Sequence, residues 1–198
     1  ARRASGGRVE GLVVEPVVDD GRTWRAMVRG SARFSPGDRL ELEAPDESMS
    51  GETIELVSRE GAAWLVRFSA PAVEVLAALG RTPLPPYILR ARGERGETRH
   101  GRDAALVERL DRAQYQTVFA DRAEQRSVAA PTAGLHFTPG LLDALITRGV
   151  DRIDVSLHVG PGTFRPVTAE QLDEHPMHAE SWSVSAAALE KLVTQRAR

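Results

Sequence analysis

Short apolar runs of β character occupy the first 70 residues of the chain. They are rich in Val, Leu, Ile and Trp and are separated by turn signals such as DDG, SPGD and REGA. The five runs are RVEGLVVEPV (8–17), TWRAMVRG (23–30), DRLELEA (38–44), ETIELVS (52–58) and AAWLVRFS (62–69). Because no helical pattern interrupts them, the spacing predicts a small antiparallel barrel or sandwich. No catalytic residue types cluster there, which favours a packing or RNA-contacting role.

The pattern changes after residue 70. Residues 71–80, PAVEVLAALG, predict a short helix that ends at Gly80, and PLPPYI (83–88) predicts a stiff connector because its prolines disfavour helix. The charged, glycine-containing stretch 90–102 predicts a mobile loop. Residues 103–120 return to helical spacing. The positions that we expect to be buried along this helix are Leu106, Leu110, Ala113 and Val118.

Helix and strand patterns alternate in the last third of the chain. Thr138 can cap a helix, Pro139 suits its first position, and Gly149 suits a left-handed residue that ends it. Strand alternation follows in VDRIDVSLHV (150–159). It places His158 on the polar face near the end of the strand, where ligands gather in α/β architectures.

Composition is ordinary for a globular protein, with 41% hydrophobic and 27% charged residues. The sequence shows no apolar run of the roughly 20 residues that cross a bilayer, and no secretory signal pattern. We therefore expect a soluble, cytoplasmic protein that does not bind membranes. Zero cysteines exclude disulfides and thiolate chemistry. The pattern predicts an α/β (α+β) fold, with a small β domain over residues 1–82 and an α/β region over residues 83–198.

The formal net charge of −2 is unevenly distributed. Residues 1–40 carry eight arginines against five acids, and residues 81–126 carry ten against seven. Residues 41–80 hold two arginines against eight acids. Two arginine-rich stretches could therefore meet phosphates. Because arginine outnumbers lysine 25 to 1 in the chain, its abundance alone does not identify a partner.

Three polar clusters are not explained by helix and strand formation. They are Thr132, Gly134 and His136; His158, Gly160, Gly162, Thr163 and Phe164; and His175, His178 and Glu180. Four of the five histidines lie in these clusters. Glycines let backbone N–H groups approach a ligand closely, and imidazoles titrate near neutral pH. The clusters are therefore candidates for a binding or catalytic site.

Other site types have weaker sequence signals. His175 and His178, three positions apart, could bind a metal, but Pro176 between them disfavours a regular helix. Ser127 and Ser156 could be nucleophiles, although neither lies in a G-x-S-x-G elbow. The chain contains neither a P-loop nor a dinucleotide-binding fingerprint.

Four runs of residues resemble a known family. YQTVFA (115–120), SVAAPTAGLHFT (127–138), LHVGPGTFRPV (157–167) and HPMHAE (175–180), in this order, closely resemble the S-adenosylmethionine:tRNA ribosyltransferase-isomerases of queuosine biosynthesis. PLPPYI and the opening ARRASGGRVEGLVVEP are also similar to that family. The resemblance extends along essentially the whole chain.

The resemblance implies a transferase that acts on tRNA. It would move the ribosyl part of S-adenosylmethionine onto 7-aminomethyl-7-deazaguanine at the anticodon wobble position, forming epoxyqueuosine and releasing adenine and methionine. It also implies a small β-barrel inserted in a larger α/β-barrel-like domain, only part of which is present. S-adenosylmethionine is then a substrate, so no cofactor or metal is expected, and a monomer is favoured. Because family members are considerably longer and the chain lacks an initial Met, we expect a fragment that can be catalytically incomplete.

The reaction implied by the resemblance needs a base for the 5′ proton or the substrate amine, and an acid for departing adenine. His136 and His158 are the expected pair, in either order. The expected substrate-binding residues are Thr132, Gly134, Phe137, Gly160, Gly162, Thr163, Phe164, His178 and Glu180. Among them the threonines would orient ribose or adenine, and a phenylalanine would stack on a base.

The chain departs from the family pattern at two places. Arg126 precedes Ser127 where the family usually has Gly, and the loop at 90–110 is longer than typical. Two alternatives also stay open. One is a non-catalytic tRNA-binding fragment in which the β unit and the Arg-rich loop hold RNA backbone. The other is a metal hydrolase that uses His158, His175 and His178.

Overall fold

The chain folds into two compact units, Ala1–Ala113 and Gln114–Arg198. The computed structural model describes residues 1–3, 6–96, 103–121, 127–164, 171 and 179–196. The fold class is mixed α/β, as predicted, with a five-stranded antiparallel sheet in the first unit. Within the described ranges, none of the helices combines the length and apolar character needed to span a membrane. The expected domain boundary at residues 82 and 83 stays a prediction.

All five predicted strands form the sheet of the first unit. They are β1 (Gly11–Pro16), β2 (Thr23–Val28), β3 (Arg39–Glu43), β4 (Met49–Glu60) and β5 (Ala63–Phe68). Their order across the sheet is β1-β2-β5-β4-β3, and every pair is antiparallel. The chain before β1 adds to both edges of this order. Arg2 pairs with Arg8, just before β1, and with Glu41 in β3.

One face of the sheet holds the hydrophobic core. Trp64, Val66 and Phe68 in β5 are at most 3% exposed, because strand alternation turns them to the same side. The predicted helix after β5 forms as α1 (Ala72–Leu79) and contributes Ala72 to the same cluster. A fully buried large apolar side chain contributes about 1.5–3 kcal/mol, so this cluster is the main source of stability in the unit.

The region after residue 85 is more helical than predicted. α2 spans Pro86–Glu94, so the prediction of a helix-free connector at 83–88 and a loop at 90–102 is wrong for residues 86–94. Pro86 lies in the first helical turn, where a missing N–H loses no intrahelical hydrogen bond. Residues 97–102 lie outside the described part of the chain.

α3 (Ala104–Gln114) confirms the helix predicted for residues 103–120 but is shorter and turns a different face inward. The predicted core positions that are exposed instead are Leu106, Leu110, Ala113 and Val118. The buried residues of α3 are Ala104, Glu108 and Asp111. The prediction of an apolar buried face is therefore wrong for this helix.

Hydrogen-bond donors around two carboxylates explain the buried face of α3. Glu108 Oε1 accepts hydrogen bonds from the backbone N–H and the hydroxyl of Thr82 at 2.7 and 2.8 Å, and from Arg112 at 3.0 Å. Asp111 accepts hydrogen bonds from both terminal nitrogens of Arg92. A buried carboxylate is tolerated only with such partners, so the positions of the donors determine which face is covered.

The second unit is built from short elements. They are α4 (Pro139–Thr147), β6 (Ser156–His158), β7 (Ser181–Ser183) and α5 (Ala186–Arg196). β6 and β7 form an antiparallel pair in which His158 lies opposite Ser181. The strand predicted over residues 150–159 is therefore limited to its last few residues, where β7 supplies a hydrogen-bonding partner.

Candidate active site

The stretch PTAGLHF forms a short 3-10 turn, Thr132–His136, directly before α4. Thr138 caps α4, as predicted, since its Oγ1 accepts a hydrogen bond from the Leu141 N–H at 3.2 Å. Pro139 lies in the first turn, and Gly149 follows the helix with a φ of 76°. The predicted start and end signals of this helix are confirmed. The capped first turn of α4 therefore fixes the point at which the preceding 3-10 turn joins the helix.

Gly134 anchors this turn against the YQTVFA motif. It is buried, and a Cβ added to it would lie 3.0 Å from Thr117 Cγ2 and 3.3 Å from Phe119 Cδ2. The Phe119 ring also meets the Phe137 ring edge to face, with centroids 5.3 Å apart. A side chain at this position would force its neighbours to shift by a few tenths of an ångström, so the two motifs are closely packed here.

Ser127 joins the PTAGLHF segment to the end of β6. Its hydroxyl donates to the Leu157 carbonyl at 3.2 Å and accepts from the Val159 N–H at 3.1 Å. The Val128 N–H donates to the Val159 carbonyl at 2.9 Å. His158 lies between these two tethered residues and is half-buried. The hydroxyl considered above as a nucleophile is thus engaged in bracing the strand end.

Glu180 braces the GPGT turn that follows β6. Its Oε1 accepts hydrogen bonds from the Gly160 N–H at 3.0 Å and from the Thr163 hydroxyl at 3.2 Å. The β6–β7 pairing explains the contact, because Glu180 directly precedes the strand that lies beside His158. The carboxylate therefore holds the turn in place, and the HPMHAE motif meets the LHVGPGTF motif here.

The predicted site residues differ in exposure. Thr132, His136, Thr163 and Glu180 are exposed; Phe137, His158, Gly160 and Gly162 are half-buried; Gly134 is buried. His178 and Arg126 lie outside the described residues, as does the side chain of Phe164. The contacts above link all four family motifs within the second unit. The catalytic and substrate-binding roles of these residues stay predictions.

Three residues important to this arrangement were not assigned to the site from the sequence. Thr117 and Phe119 support the PTAGLHF turn, and Ser127 braces β6. The signal was present in YQTVFA, which the resemblance includes, but nothing in one-dimensional spacing indicates which turn a Thr and a Phe will contact. Such contacts depend on tertiary packing.

The alternative of a metal hydrolase requires His158, His175 and His178 as metal ligands. In the part of the chain that the structure describes, no three His, Cys, Asp or Glu side chains are grouped so that they could hold a metal ion. His175 and His178, two of the three proposed ligands, lie outside that part.

Comparison with known proteins places the chain in a family. The family model described as queuosine biosynthesis protein matches residues 1–198. A protein of Anaeromyxobacter dehalogenans (strain 2CP-C) named S-adenosylmethionine:tRNA ribosyltransferase-isomerase is 45% identical over 200 residues, covering 99% of this chain and 51% of that protein. A protein of the same name from Burkholderia pseudomallei (strain K96243) is 41% identical over 197 residues, covering 100% and 48%. The chain thus spans about half the length of these relatives. It belongs to the queuosine biosynthesis protein family.

Proposed function

We propose that the protein containing this chain is an S-adenosylmethionine:tRNA ribosyltransferase-isomerase. The observation that carries the proposal is the set of contacts that unite the four family motifs in the second unit. Thr117 and Phe119 pack on the PTAGLHF segment, Ser127 tethers that segment to β6, and Glu180 holds the turn after β6. The similarity to relatives of that name over the whole chain supports the same activity.

In the proposed reaction the ribosyl part of S-adenosylmethionine is transferred to 7-aminomethyl-7-deazaguanine in tRNA and isomerised. The sulfonium withdraws electrons from C5′ and so acidifies its protons, and protonation of adenine makes it a better leaving group. Both substrates then supply all the reacting groups, so the proposal needs no separate cofactor. The protein contributes proton transfer, orientation and exclusion of water.

His136 and His158 are the proposed acid and base. An imidazole can either donate or accept a proton, so each ring can serve as the acid or as the base. His136 is exposed at the end of the 3-10 turn, and half-buried His158 ends β6. Thr132 and Thr163 carry hydroxyls near these two positions in the sequence and are proposed to orient ribose or adenine.

Glu180 and Ser127 are proposed as positioning residues. Glu180 uses Oε1 to hold Gly160 and Thr163, so its effect on substrate would pass through the GPGT turn. Ser127 acts likewise on the backbone around His158. Residues that act in this way typically alter catalysis through geometry, because small misplacements of catalytic groups are costly.

The five-stranded sheet of the first unit, within residues 1–82, is proposed to be the small β-barrel of the family. The Arg2 N–H donates to the Glu41 carbonyl at 2.7 Å, and the Glu41 N–H donates back to Arg2 at 2.9 Å. The Val9 N–H donates to the Ala1 carbonyl at 2.7 Å. The residues before β1 thus hydrogen-bond to β3 at the other edge, which supports closure of the sheet. Its insertion in a larger α/β-barrel-like domain is part of the same proposal.

The test is adenine release by the protein made from the complete open reading frame. The substrates are S-adenosylmethionine and a tRNA that carries 7-aminomethyl-7-deazaguanine, and adenine is quantified by liquid chromatography. We expect His136→Ala and His158→Ala each to lower kcat by about 10²–10⁴-fold, the usual contribution of a general acid or base. The affinity for tRNA should change little.

Asp154→Asn is the matched control, because Asp154 precedes β6 and its side chain is 66% exposed in a surface ion pair with Arg152. Its turnover should equal that of the unmodified protein. Near-normal turnover of both histidine variants would remove the acid and base assignments. Absence of adenine release by the unmodified complete protein would remove the proposed function itself.

A further inference from the structure

A groove of about 640 Å³ opens on the first unit, and four of its eight described lining residues are arginines. Among the described residues, the arginines that line it are Arg3, Arg8, Arg29 and Arg33, and the carboxylate in its lining is that of Glu10. The groove contains no residue of the four motifs described above. It is therefore a second candidate site, and its lining is cationic.

Backbone hydrogen bonds fix the three segments that form the groove. Near the start of the chain, the Arg3 N–H donates to the Gly7 carbonyl at 3.0 Å. The Arg29 N–H, after β2, donates to the Glu10 carbonyl at 2.9 Å. The Arg33 N–H donates to the Gly30 carbonyl at 3.1 Å in the connection toward β3. The arginines therefore belong to three separate segments, each of which makes backbone hydrogen bonds.

Arg8 is committed to ion pairs inside the unit. It donates hydrogen bonds to Glu43 at 3.2 and 3.3 Å and to Glu47 at 2.8 Å. Burial would raise the pKa of Glu43, but hydrogen bonds from Arg8 and Arg2 outweigh it and hold that pKa below its usual value. Arg8 thus has few free donors for a ligand in the groove, and two carboxylates largely neutralise its charge.

Arg29 is paired more loosely. Its partner is Glu10 at 2.9 Å, and the two side chains are 82% and 70% exposed. An exposed pair of this kind contributes little to stability. Arg29 can therefore exchange the carboxylate for an incoming phosphate at small cost.

Arg3 and Arg33 are the arginines best suited to bind an anion. The Arg3 guanidinium lies over the Phe34 ring, 4.1 Å from its centroid. Stacking uses the face of the guanidinium and leaves its N–H groups in the plane, where they donate to anions. Among the described residues, no carboxylate lies within ion-pair distance of Arg3 or Arg33. Both are available for an external partner.

We propose that this groove binds the phosphate backbone of tRNA, with Arg3 and Arg33 as direct phosphate ligands and Arg29 as a third. Cationic groups on three segments suit successive phosphates of a strand better than a single phosphate. RNA is chosen over other polyanions because the proposed function makes tRNA a substrate. The groove thus serves affinity and orientation, whereas chemistry belongs to the second unit.

The experiment measures binding of a fluorescein-labelled, unmodified tRNA transcript to the complete protein by anisotropy at several salt concentrations. We expect Arg3→Gln and Arg33→Gln each to weaken tRNA binding on the order of 3- to 10-fold. The slope of the logarithm of the binding constant against the logarithm of the salt concentration should fall in magnitude by about 1. Arg33→Lys retains the charge and should keep the slope. Arg39→Gln is the matched control, because Arg39 is 73% exposed on the same sheet but does not line the groove. Unchanged far-ultraviolet circular dichroism verifies folding of each variant.

If the groove variants bound tRNA as tightly as Arg39→Gln, the proposal that the groove binds tRNA would be overturned. Adenine release, measured in parallel, would still support the proposed function. Conversely, if tRNA binding depended on the groove but the unmodified protein released no adenine, the proposal for the groove would be supported and the proposed reaction would be contradicted. If Arg3→Gln and Arg33→Gln lost heparin binding but bound tRNA normally, the groove would be a site for another polyanion, and the RNA assignment would be overturned. An unmodified protein that does not bind tRNA at low salt would also overturn it.

Discussion

Gly134 illustrates how one residue joins two motifs. The sequence marked it only as a glycine in a polar cluster, which suggested close approach to a ligand. In the structure its neighbours are Thr117 and Phe119 of the same unit, so the space it leaves is filled by protein. The preference for glycine is thus explained by packing, and the catalytic proposal depends on that packing because His136 ends the same turn.

Replacing this glycine tests the packing. Gly134→Ala places a Cβ 3.0 Å from Thr117 Cγ2, and we expect it to lower the free energy of unfolding by about 1–3 kcal/mol, the usual cost of overpacking. The measurement is chemical denaturation of the 198-residue chain. Gly140→Ala is the matched control, because Gly140 lies in α4 with nothing within 4 Å of an added Cβ.

The control should be neutral or more stable by up to about 1 kcal/mol, since Ala restricts the unfolded chain and favours helix. If Gly134→Ala matched Gly140→Ala, the contact between the two motifs would not be a constraint on this turn.

At the scale of elements, helix α3 separates what periodicity can predict from what it cannot. The 3.6-residue pattern indicated a helix correctly, but it assigned the apolar side to the interior. The buried side carries Glu108 and Asp111, because Thr82 and Arg92 approach from other segments and supply donors. Periodicity contains no information about those partners.

The buried pair between α2 and α3 gives an element-scale prediction. The Asp111 side chain is 0% exposed and that of Arg92 is 18% exposed. Asp111→Ala leaves the guanidinium without this partner in a largely buried place, so we expect a loss of about 3–5 kcal/mol in unfolding free energy. Thermal and urea unfolding of the chain measure it.

Glu94→Ala is the control for removal of an acid from the same pair of helices. Glu94 is exposed at the end of α2, so its replacement should change stability by less than about 0.5 kcal/mol. A cost for Asp111→Ala no larger than that of the control would show that the pair is not a structural element of the unit.

At the scale of the whole chain, apolar burial is unequal between the two units. The named core cluster lies in the first unit and includes Trp64, which is 1% exposed. In the second unit, Leu157 and Trp182 face each other across β6 and β7 and are 59% and 66% exposed. Two tryptophans of one chain therefore have opposite environments.

This contrast predicts that the same substitution changes the stability by very different amounts at the two positions. Trp64→Ala should destabilise the first unit by about 3–5 kcal/mol, because it removes a large buried ring and leaves a cavity. Trp182→Ala should change stability by less than about 1 kcal/mol, because most of its ring already contacts solvent. Denaturation followed by circular dichroism gives both values, and a large cost for Trp182→Ala would contradict the exposed environment.

The amino-acid sequence was sufficient to predict the five strands, the start and end of α4, the order of the four motifs and the family. These features follow from alternation, capping residues and residue identity, all of which are local along the chain. The three-dimensional structure was needed to show that α3 buries its acids and that α2 begins at Pro86. It was also needed to show that Ser127 and Glu180 brace the turns around His158, and that distant arginines share a groove. The physical reason is that hydrogen-bond partners, close packing and summed charge depend on segments far apart in sequence, and local patterns do not contain their distances.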